Sequence, residues 1–459
     1  GSRAAVAKPS ARLARGRRST VGAGPRRIIG DMDTPSTKHE SFKSSGAGAD
    51  QVPGGDAGGV SAGDRVDGPS VEPVAPIPRD RADLCPGARR AHVAADGAIG
   101  RLRFPGGFLP APGFEVLADL ADNFGDGDIH FTSRGNVQIR GIRDVSGFAD
   151  AAEEAGMLPY PEHDRVRNIL MSPMTGRVGG LTDVSELVQD FDAALCSDEA
   201  LASLPGRTLF AFDDGRGDVI VEAPDLGLVA LGGDEFELIV AGKPCGVSAD
   251  RDHAVELLMT ATRAWARLRG DAWRIAESDK AEEVVEAAKE SSASTVGEPS
   301  DAESFAIAHP GTEGIGWVDQ PDGRVSLTAG LRFGILPARL ARAIAQTRVP
   351  VHVTPWYSLV LHDLDEVIAE QVVRVMAPNG LIFDRKSTWL RVSACTGRPG
   401  CPKSLADTRG DAAHAIAQAR LPEGRVHFSG CERRCGRPKG GYLDYLAVGD
   451  GEYEVTSVD

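Results

Sequence analysis

The chain has 459 residues, a mass of 48.3 kDa and a formal net charge of −15. At roughly 150 residues per domain, this length predicts two large domains or about three smaller ones. The sequence has no run approaching the ~18 apolar residues of a membrane-spanning helix, and its acidic balance argues against a general nucleic-acid binder.

Residues 1–80 differ in composition from the rest of the chain. Residues 1–30 carry eight Lys or Arg and no acid, and residues 44–78 are dense in Gly, Pro, Ala, Asp and Ser. Such a segment buries too little apolar surface to offset its ordering entropy, which predicts a disordered N-terminal tail. The alternative is a transit peptide, which is also Arg-rich and acid-poor. The sequence shows no secretory apolar region, and we expect a cytoplasmic protein.

The remainder contains an internal duplication. Four pairs of segments recur in the same order and at similar spacing: Asp96-Gly97 with Asp322-Gly323, Leu109-Pro110 with Leu336-Pro337, residues 129–132 with 351–354, and residues 171–177 with 392–398. Each copy predicts a strand–helix–strand unit followed by an α/β unit, and therefore an α+β fold. Two copies usually pack about a pseudo-twofold axis, which predicts a site in the crevice between them.

The chain has seven cysteines, an odd number and a small one for 459 residues, which argues against a disulfide scaffold. Four lie in the last 65 residues, as Cys395-x5-Cys401 and Cys431-x3-Cys435 among glycines. This pattern predicts a [4Fe-4S] cluster; structural zinc and four unrelated thiols are the alternatives. The first copy has Met174 at the position aligned with Cys395, and Asp213 near the positions of the last two cysteines. We therefore expect only the second copy to hold a cluster.

A second candidate site lies in residues 130–143. If this segment is a regular strand, one face presents two guanidinium groups and two amides, which suit an anionic ligand. A solvated edge strand is the alternative. The four side chains of that face are Arg134, Asn136, Gln138 and Arg140.

These segments together resemble the sulfite and nitrite reductase family. The resemblance is carried by residues 132–141 (TSRGNVQIRG), residues 166–169 (VRNI) and the cysteine quartet, and it spans about residues 84–450. It implies duplicated halves, a [4Fe-4S] cluster on the quartet and usually sirohaem, with Cys435 bridging cluster and haem iron. It also implies that Arg134 and Arg167 bind the macrocycle or an anionic substrate.

The family resemblance implies six parts in this chain. They are a tail (1–80), a first ferredoxin-like half domain (81–165), a first α/β domain without a cluster (166–275), a linker (276–302), a second ferredoxin-like half domain (303–385) and a 4Fe-4S-binding domain (386–459).

The chain departs from the sirohaem reductases in one segment. Those enzymes carry a cationic pair in the part that matches residues 204–212, whereas this chain has Arg207 and then Leu209. The start of the fold instead resembles the precorrin-3B synthases of the same superfamily. That resemblance is carried by Cys85-Pro-Gly and by residues 96–109 (DGAIGRLRFPGGFL).

The second resemblance implies an iron–sulfur monooxygenase of aerobic cobalamin biosynthesis. Its reaction is the O₂-dependent hydroxylation of precorrin-3A with formation of a lactone, and NADH is the formal reductant. It implies a mononuclear non-haem iron besides the cluster, for which His130, His309 and His427 are candidate ligands. The expected clamps for the carboxylate arms of the tetrapyrrole are Arg134, Arg140, Arg167 and Arg207.

The electron source and two alternative functions remain open from the sequence. No Gly-x-Gly-x-x-Gly follows a strand, so we expect electrons from a separate reductase or ferredoxin. A sirohaem-dependent nitrite or sulfite reductase and a non-catalytic iron–sulfur protein are the alternatives.

Overall fold

A computed structural model describes residues 83–292, 294–301, 305 and 314–458. These residues belong to one compact unit, Val71–Asp459. The predicted tail, residues 1–80, lies outside the described residues. Within the described part, four β-sheets and nine α-helices are present. None of the helices described is long and apolar enough to cross a membrane.

The first half domain is a five-stranded sheet covered by two helices. The sheet has the order β1-β2-β5-β4-β14. Its strands are β1 (His92–Ala94), β2 (Gly97–Leu102), β4 (Asp128–Phe131), β5 (Val137–Ile142) and β14 (Ile335–Pro337). The helices are α1 (Gly113–Phe124) and α2 (Val145–Glu154). Helix α1 buries Phe114, Leu117 and Ala121 on one face, as the helical period requires.

The second half domain repeats this arrangement. Its sheet has the order β12-β13-β16-β15-β3. The strands are β3 (Phe108–Pro110), β12 (Gly316–Asp319), β13 (Val325–Gly330), β15 (Pro350–Val353) and β16 (Ser358–Leu364). The helices are α6 (Ala338–Ala345) and α7 (Glu366–Met376).

The two half domains exchange their edge strands. Strand β14 of the second copy pairs with β4, with Leu336 opposite Ile129. Strand β3 of the first copy pairs with β15, with Leu109 opposite Val351. These four side chains are at most 5% exposed and belong to one hydrophobic core that includes residues of both copies. The half domains are therefore not independent units, although β3 and β14 each lie within the ranges expected for their own copies, 81–165 and 303–385.

The first α/β unit follows the first half domain. Its sheet has the order β11-β10-β9-β8-β7-β6. The strands are β6 (Ile169–Met171), β7 (Phe210–Asp213), β8 (Leu226–Gly232), β9 (Glu235–Val240), β10 (Lys243–Asp250) and β11 (Thr295–Val296). The helices are α3 (Ser185–Ser197), α4 (Arg251–Leu268) and α5 (Ala281–Lys289).

The segment predicted as a linker belongs largely to this unit. Helix α5 buries Val284 and Ala288 in the core of the unit, and β11 pairs with β10. The helix within residues 277–290 was predicted, but its packing was not. The amphipathic spacing of Val284 and Ala288 gives that helix one face to bury.

The second α/β unit ends the described chain and carries the cysteine quartet. Its sheet has the order β17-β18-β19-β20, with β20 antiparallel to the parallel strands β17, β18 and β19. The strands are β17 (Val392–Ala394), β18 (Val426–Ser429), β19 (Tyr442–Gly449) and β20 (Glu452–Val458). The helices are α8 (Thr388–Arg391) and α9 (Thr408–Ala417).

The strand register shows which positions of the two α/β units are equivalent. The N–H of Cys395 donates to the carbonyl of Phe428, and the N–H of Ser172 donates to the carbonyl of Phe212. Ser172 therefore stands where the second unit has Cys395. The sequence alignment that placed Met174 there is wrong by two residues, because the shared Thr-Gly-Arg segment begins at Thr175, four residues after β6 ends, but at Thr396, two residues after β17 ends. By the same register Asp213 is equivalent to Ser429, two residues before Cys431.

Candidate functional site

A crevice of about 500 Å³ lies between the two copies, as the duplication predicts. The first half domain provides one side, and the second half domain and the cluster unit provide the other. The lining includes three arginines and one histidine and no carboxylate: Arg101, Arg140, Arg409 and His130. In a chain of net charge −15, this crevice is a local basic site.

The floor of the crevice is one face of the first sheet. Arg101 and His130 both lie opposite Gln138, so the three side chains form a row across strands β2, β5 and β4. With its amide oriented toward Arg101, the Gln138 oxygen accepts from Arg101 Nε at 3.1 Å. His130 Nε2 lies 3.0 Å from Asp126 Oδ2. Burial opposes the ionisation of Asp126, but the hydrogen bond and charge of His130 lower its pKa overall.

The equivalent row of the second half domain keeps the histidine but has no arginine or glutamine. Thr328 and His352 both lie opposite Val360. His352 Nδ1 lies 2.9 Å from His362 Nε2, and His362 Nδ1 lies 2.9 Å from the Ser326 hydroxyl. All of these residues are buried. The second copy therefore has a closed polar network where the first copy has an open cationic face.

Two arginines mark the end of the crevice near the cluster unit. Arg140 makes a bidentate ion pair with Asp96, at 3.2 Å from Nε and 3.0 Å from Nη2 to Asp96 Oδ2. Arg409 makes no ion pair in the described part of the chain, and its buried Nε has no hydrogen-bond partner there. The two guanidinium groups repel each other, and this together with burial lowers the pKa of Arg409.

Aromatic side chains form much of the opposite wall. They are Phe333, Trp356, Tyr357 and Trp389. Phe333 has φ of 55° and Tyr357 has φ of 57°, a left-handed conformation that bulky residues rarely adopt. The Phe333 and Trp389 rings pack edge to face with centroids 5.5 Å apart. Backbone strain of this kind persists where the surrounding structure holds it, and it clusters at ligand sites.

The four C-terminal cysteines gather beside the crevice. All are free thiols, and Cys395 and Cys435 line the crevice itself. Burial raises the pKa of Cys435, and the nearby Cys395, Cys401 and Cys431 raise it further. The Gly430 N–H donates to Cys395 Sγ at 3.2 Å. Four converging thiols with a backbone donor to sulfur fit a [4Fe-4S] cluster.

A single bound ion fits the described residues less well. Across the residues that the structure describes, no three His, Cys, Asp or Glu side chains surround one point closely enough to hold one metal ion. A cluster differs in this respect because its cysteines bind separate irons. Of the candidate iron ligands, His130 has one carboxylate partner, and buried His427 lies 2.8 Å from Ser393 Oγ. His309 lies outside the described residues. A mononuclear iron site is therefore not supported by the described side chains.

Several predicted substrate clamps lie away from the crevice. Arg167 is held by Asp192 through bonds of 2.7 and 2.6 Å. Arg134 donates to the Gly206 carbonyl at 3.1 Å. Arg207 lies over the Trp273 ring at 4.6 Å. None of these three arginines is among the described residues that line the crevice.

Of the four side chains predicted on the polar strand face, the structure brings two to the crevice and places two elsewhere. Strand β5 begins at Val137, so Arg134 lies in the preceding turn. Asn136 is 1% exposed, and its amide donates to Asn168 Oδ1 at 3.2 Å. Gln138 and Arg140 do reach the crevice. Sequence reasoning missed Arg101 and Arg409, although Arg101 lies inside the DGAIGRLRF motif, two residues before Arg103.

Comparison with known proteins supports the duplicated fold. Residues 92–155 match the nitrite/sulfite reductase ferredoxin-like half domain. A precorrin-3B synthase of a Sinorhizobium species is 24% identical over 391 residues, covering 81% of this chain and 82% of that protein. This chain is similar to proteins of the nitrite and sulfite reductase group.

Further relatives of the nitrite/sulfite reductase family agree with this placement. A ferredoxin–nitrite reductase of Synechococcus elongatus is 28% identical over 395 residues, covering 74% of each chain. The structure of the Mycobacterium tuberculosis NirA protein has a TM-score of 0.60 at 19% identity, covering 78% of this chain and 73% of that chain. The last likeness shows the fold alone. The predicted α+β, nitrite/sulfite reductase-like fold is confirmed.

Proposed function

We propose that this chain is an iron–sulfur monooxygenase of the precorrin-3B synthase type. Its reaction would be the O₂-dependent hydroxylation of precorrin-3A with lactone formation, in aerobic cobalamin biosynthesis. One observation favours this function over that of a sirohaem-dependent reductase. Arg207 lies over Trp273, and Leu209 is 3% exposed, so the segment that holds a cationic pair in those enzymes brings no cation to this crevice. A small oxyanion would lack the cationic pair that this segment supplies in those enzymes.

The crevice has the chemistry to bind a tetrapyrrole that carries several carboxylates. Its volume is within the ~300–1,000 Å³ typical of ligand sites. Its aromatic wall offers flat apolar faces for a macrocycle, and Arg101 and Arg409 add positive charge that attracts carboxylates. No carboxylate among the described lining residues repels the ligand.

His130 is the group we propose for proton movement in this site. Asp126 holds Nε2, fixing the ring, and the other nitrogen, Nδ1, then exchanges a proton with the ligand. The proposed reaction needs such a group, because one oxygen atom of O₂ leaves as water and takes up two protons. His130 has the position for it, since it borders the crevice beside Arg101 and Gln138.

The quartet Cys395, Cys401, Cys431 and Cys435 would hold a [4Fe-4S] cluster. Such a cluster passes single electrons, which the reduction of triplet O₂ requires. Cys435 is both exposed and part of the crevice lining, so it connects the surface with the ligand. A separate reductase or ferredoxin would supply the electrons.

The test is conversion of precorrin-3A by the anaerobically purified full chain, supplied with two electrons per precorrin-3A from a reduced ferredoxin, on addition of ¹⁸O-labelled dioxygen. The expected product gains one labelled oxygen atom, and the other is reduced to water. Cys401→Ser is the matched variant, and we expect it to lose both cluster and product. Unchanged precorrin-3A with the intact, reduced wild-type protein would rule the proposal out.

A sirohaem-dependent nitrite or sulfite reductase is the second candidate. Its specific support is that Cys435 lines the crevice, where it would bridge a cluster to a haem iron, together with the match to a nitrite reductase. The same arginines and aromatic rings would hold sirohaem, which also carries carboxylates. This candidate requires about one sirohaem per chain, because a cofactor that takes part in every turnover stays bound to the enzyme.

A further inference from the structure

Arg409 is a charged group in the crevice whose partner is absent from the described chain. It is the second residue of α9, after Asp407, which caps the helix by accepting from the Gly410 N–H at 3.1 Å. The other two arginines of the crevice are engaged, Arg140 by Asp96 and Arg101 by Gln138. Within the described residues Arg409 has no ion pair, and its Nε is buried without a hydrogen bond.

This position is unfavourable for an arginine that serves only the fold. The first turn of a helix carries partial positive charge, so a cation there is repelled. Arg140 adds a second repulsion. The Cys395 thiol, Asp126 and Asp128 attract the guanidinium, but none of them forms an ion pair with it in the described part. A buried donor without a partner is uncommon in folded proteins and usually marks a missing ligand or water.

We propose that Arg409 binds one side-chain carboxylate of the tetrapyrrole and so fixes which edge of the macrocycle faces Cys435. The inference rests on the proposed tetrapyrrole function and extends it to a residue that determines orientation. Arg409 and Cys435 both line the same end of the crevice. The guanidinium fork suits a carboxylate, and a fixed edge gives one reacting carbon a defined place.

Arg140 does not serve this role, because it ties two parts of the fold together. Its partner Asp96 contacts the cysteine loop, where a Cβ on Gly400 would lie only 3.0 Å from Asp96 Oδ2. The Arg140–Asp96 pair thus joins the first half domain to the loop between Cys395 and Cys401. Arg409 is left as the unpaired guanidinium at this end of the crevice within the described chain.

The test is the affinity of the cluster-loaded full chain for uroporphyrin III, a stable tetrapyrrole with eight carboxylates. Quenching of Trp356 and Trp389 fluorescence would report binding. We expect Arg409→Gln to weaken binding about tenfold or more, as the loss of a charge-assisted hydrogen bond implies. Arg409→Lys keeps the charge and should lose less. The matched control is Arg420→Gln, an exposed arginine just beyond α9.

The outcomes separate this inference from the proposed function. Wild-type binding with equal affinity in Arg409→Gln and Arg420→Gln overturns the role of Arg409 and leaves the tetrapyrrole site standing. Absence of wild-type binding overturns both. Iron and sulfide content and the melting temperature show whether each variant is intact. If Arg409→Gln loses its cluster, the Arg409→Lys variant is used in its place. An affinity of Arg409→Lys for uroporphyrin III equal to that of wild type, at both low and raised salt, would overturn the role of Arg409 in binding the carboxylate.

Discussion

His130 and His352 occupy equivalent positions in the two half domains, yet only His130 borders an open crevice. His130 lies opposite Gln138 and is bonded to Asp126, whereas His352 lies opposite Val360 and is bonded to His362. Burial lowers the pKa of His352 to about 3, so it is neutral at physiological pH. The duplication has produced one open site and one closed counterpart.

The first prediction concerns His130 as the proton-exchanging group. His130→Gln should lower turnover of precorrin-3A by roughly 10²-fold, within the usual range for loss of a general acid or base. The affinity for precorrin-3A should change little, because the arginines remain. His253→Gln is the control, since His253 forms a similar pair with Asp250 on the surface. Turnover of the His130 variant within a few-fold of wild type would refute this role.

The second prediction concerns the exchanged strands. Leu336 is 0% exposed and lies in the strand that crosses to the other half domain. Leu336→Ala should lower the free energy of unfolding by about 2–5 kcal/mol. The control Leu84→Ala removes a side chain that is 64% exposed and should have little effect. Urea unfolding should show one transition for both half domains, and two separate transitions would contradict a shared core.

The third prediction concerns the strained Phe333. Its left-handed backbone suits glycine, and the equivalent position of the first copy is Gly106, with φ of 69°. Phe333→Gly relieves about 1–3 kcal/mol of strain while losing the aromatic pair with Trp389, worth about 0.5–1.5 kcal/mol beyond its burial. Because the buried part of the ring is also lost and glycine is more flexible in the unfolded chain, we expect a modest net loss of stability. We also expect a clear loss of uroporphyrin III affinity. Unchanged affinity in a calorimetric titration would show that Phe333 does not contact the ligand.

The fourth prediction concerns a buried carboxyl in the first α/β unit. Burial and the neighbouring Asp213 raise the pKa of Asp218 to about 7. An aspartate with a raised folded-state pKa is stabilising while protonated, so its contribution is lost as pH rises from about 4, the unfolded value, to about 7. Asp218→Asn should therefore raise the melting temperature at pH 8 relative to wild type, and less so at pH 5.

The pH dependence of Asp218 has a matched control in the same unit. Asp190 is exposed on α3, and Asp190→Asn should shift the melting temperature equally at both pH values. The Ser172 hydroxyl, which donates to Asp218 at 2.6 Å, can donate equally to the asparagine oxygen. If Asp218→Asn raised the melting temperature more at pH 5 than at pH 8, the raised pKa of Asp218 would be contradicted.

The duplication could be predicted from the sequence, but the exchange of edge strands between the two half domains could not. Leu109 and Leu336 can be aligned from their repeated context, and the structure places them in equivalent strands. A repeat shows that two strands are equivalent, but it does not show which sheet each one joins. That choice depends on the packing of α1 against α6 across the shared core, which is a contact between distant residues.

The binding face was harder to predict than the cysteines. The cysteine pattern is local and specific, whereas the use of an arginine depends on its partner. Asp192 engages Arg167 from 25 residues further along the chain, and no local pattern announces that pair. Arg409 could have been suspected from sequence, since a basic residue directly after a helix-capping segment opposes the helix dipole.

The central claim is that the crevice receives its tetrapyrrole as a substrate and holds none as a resident cofactor. The most direct measurement is the sirohaem content per chain of the full protein purified anaerobically with its cluster, by solvent extraction and absorption spectroscopy. We predict the broad brown absorption of an iron–sulfur cluster with no extractable sirohaem, and tetrapyrrole binding only when it is added. One sirohaem per chain would contradict the claim and assign the crevice to a reductase.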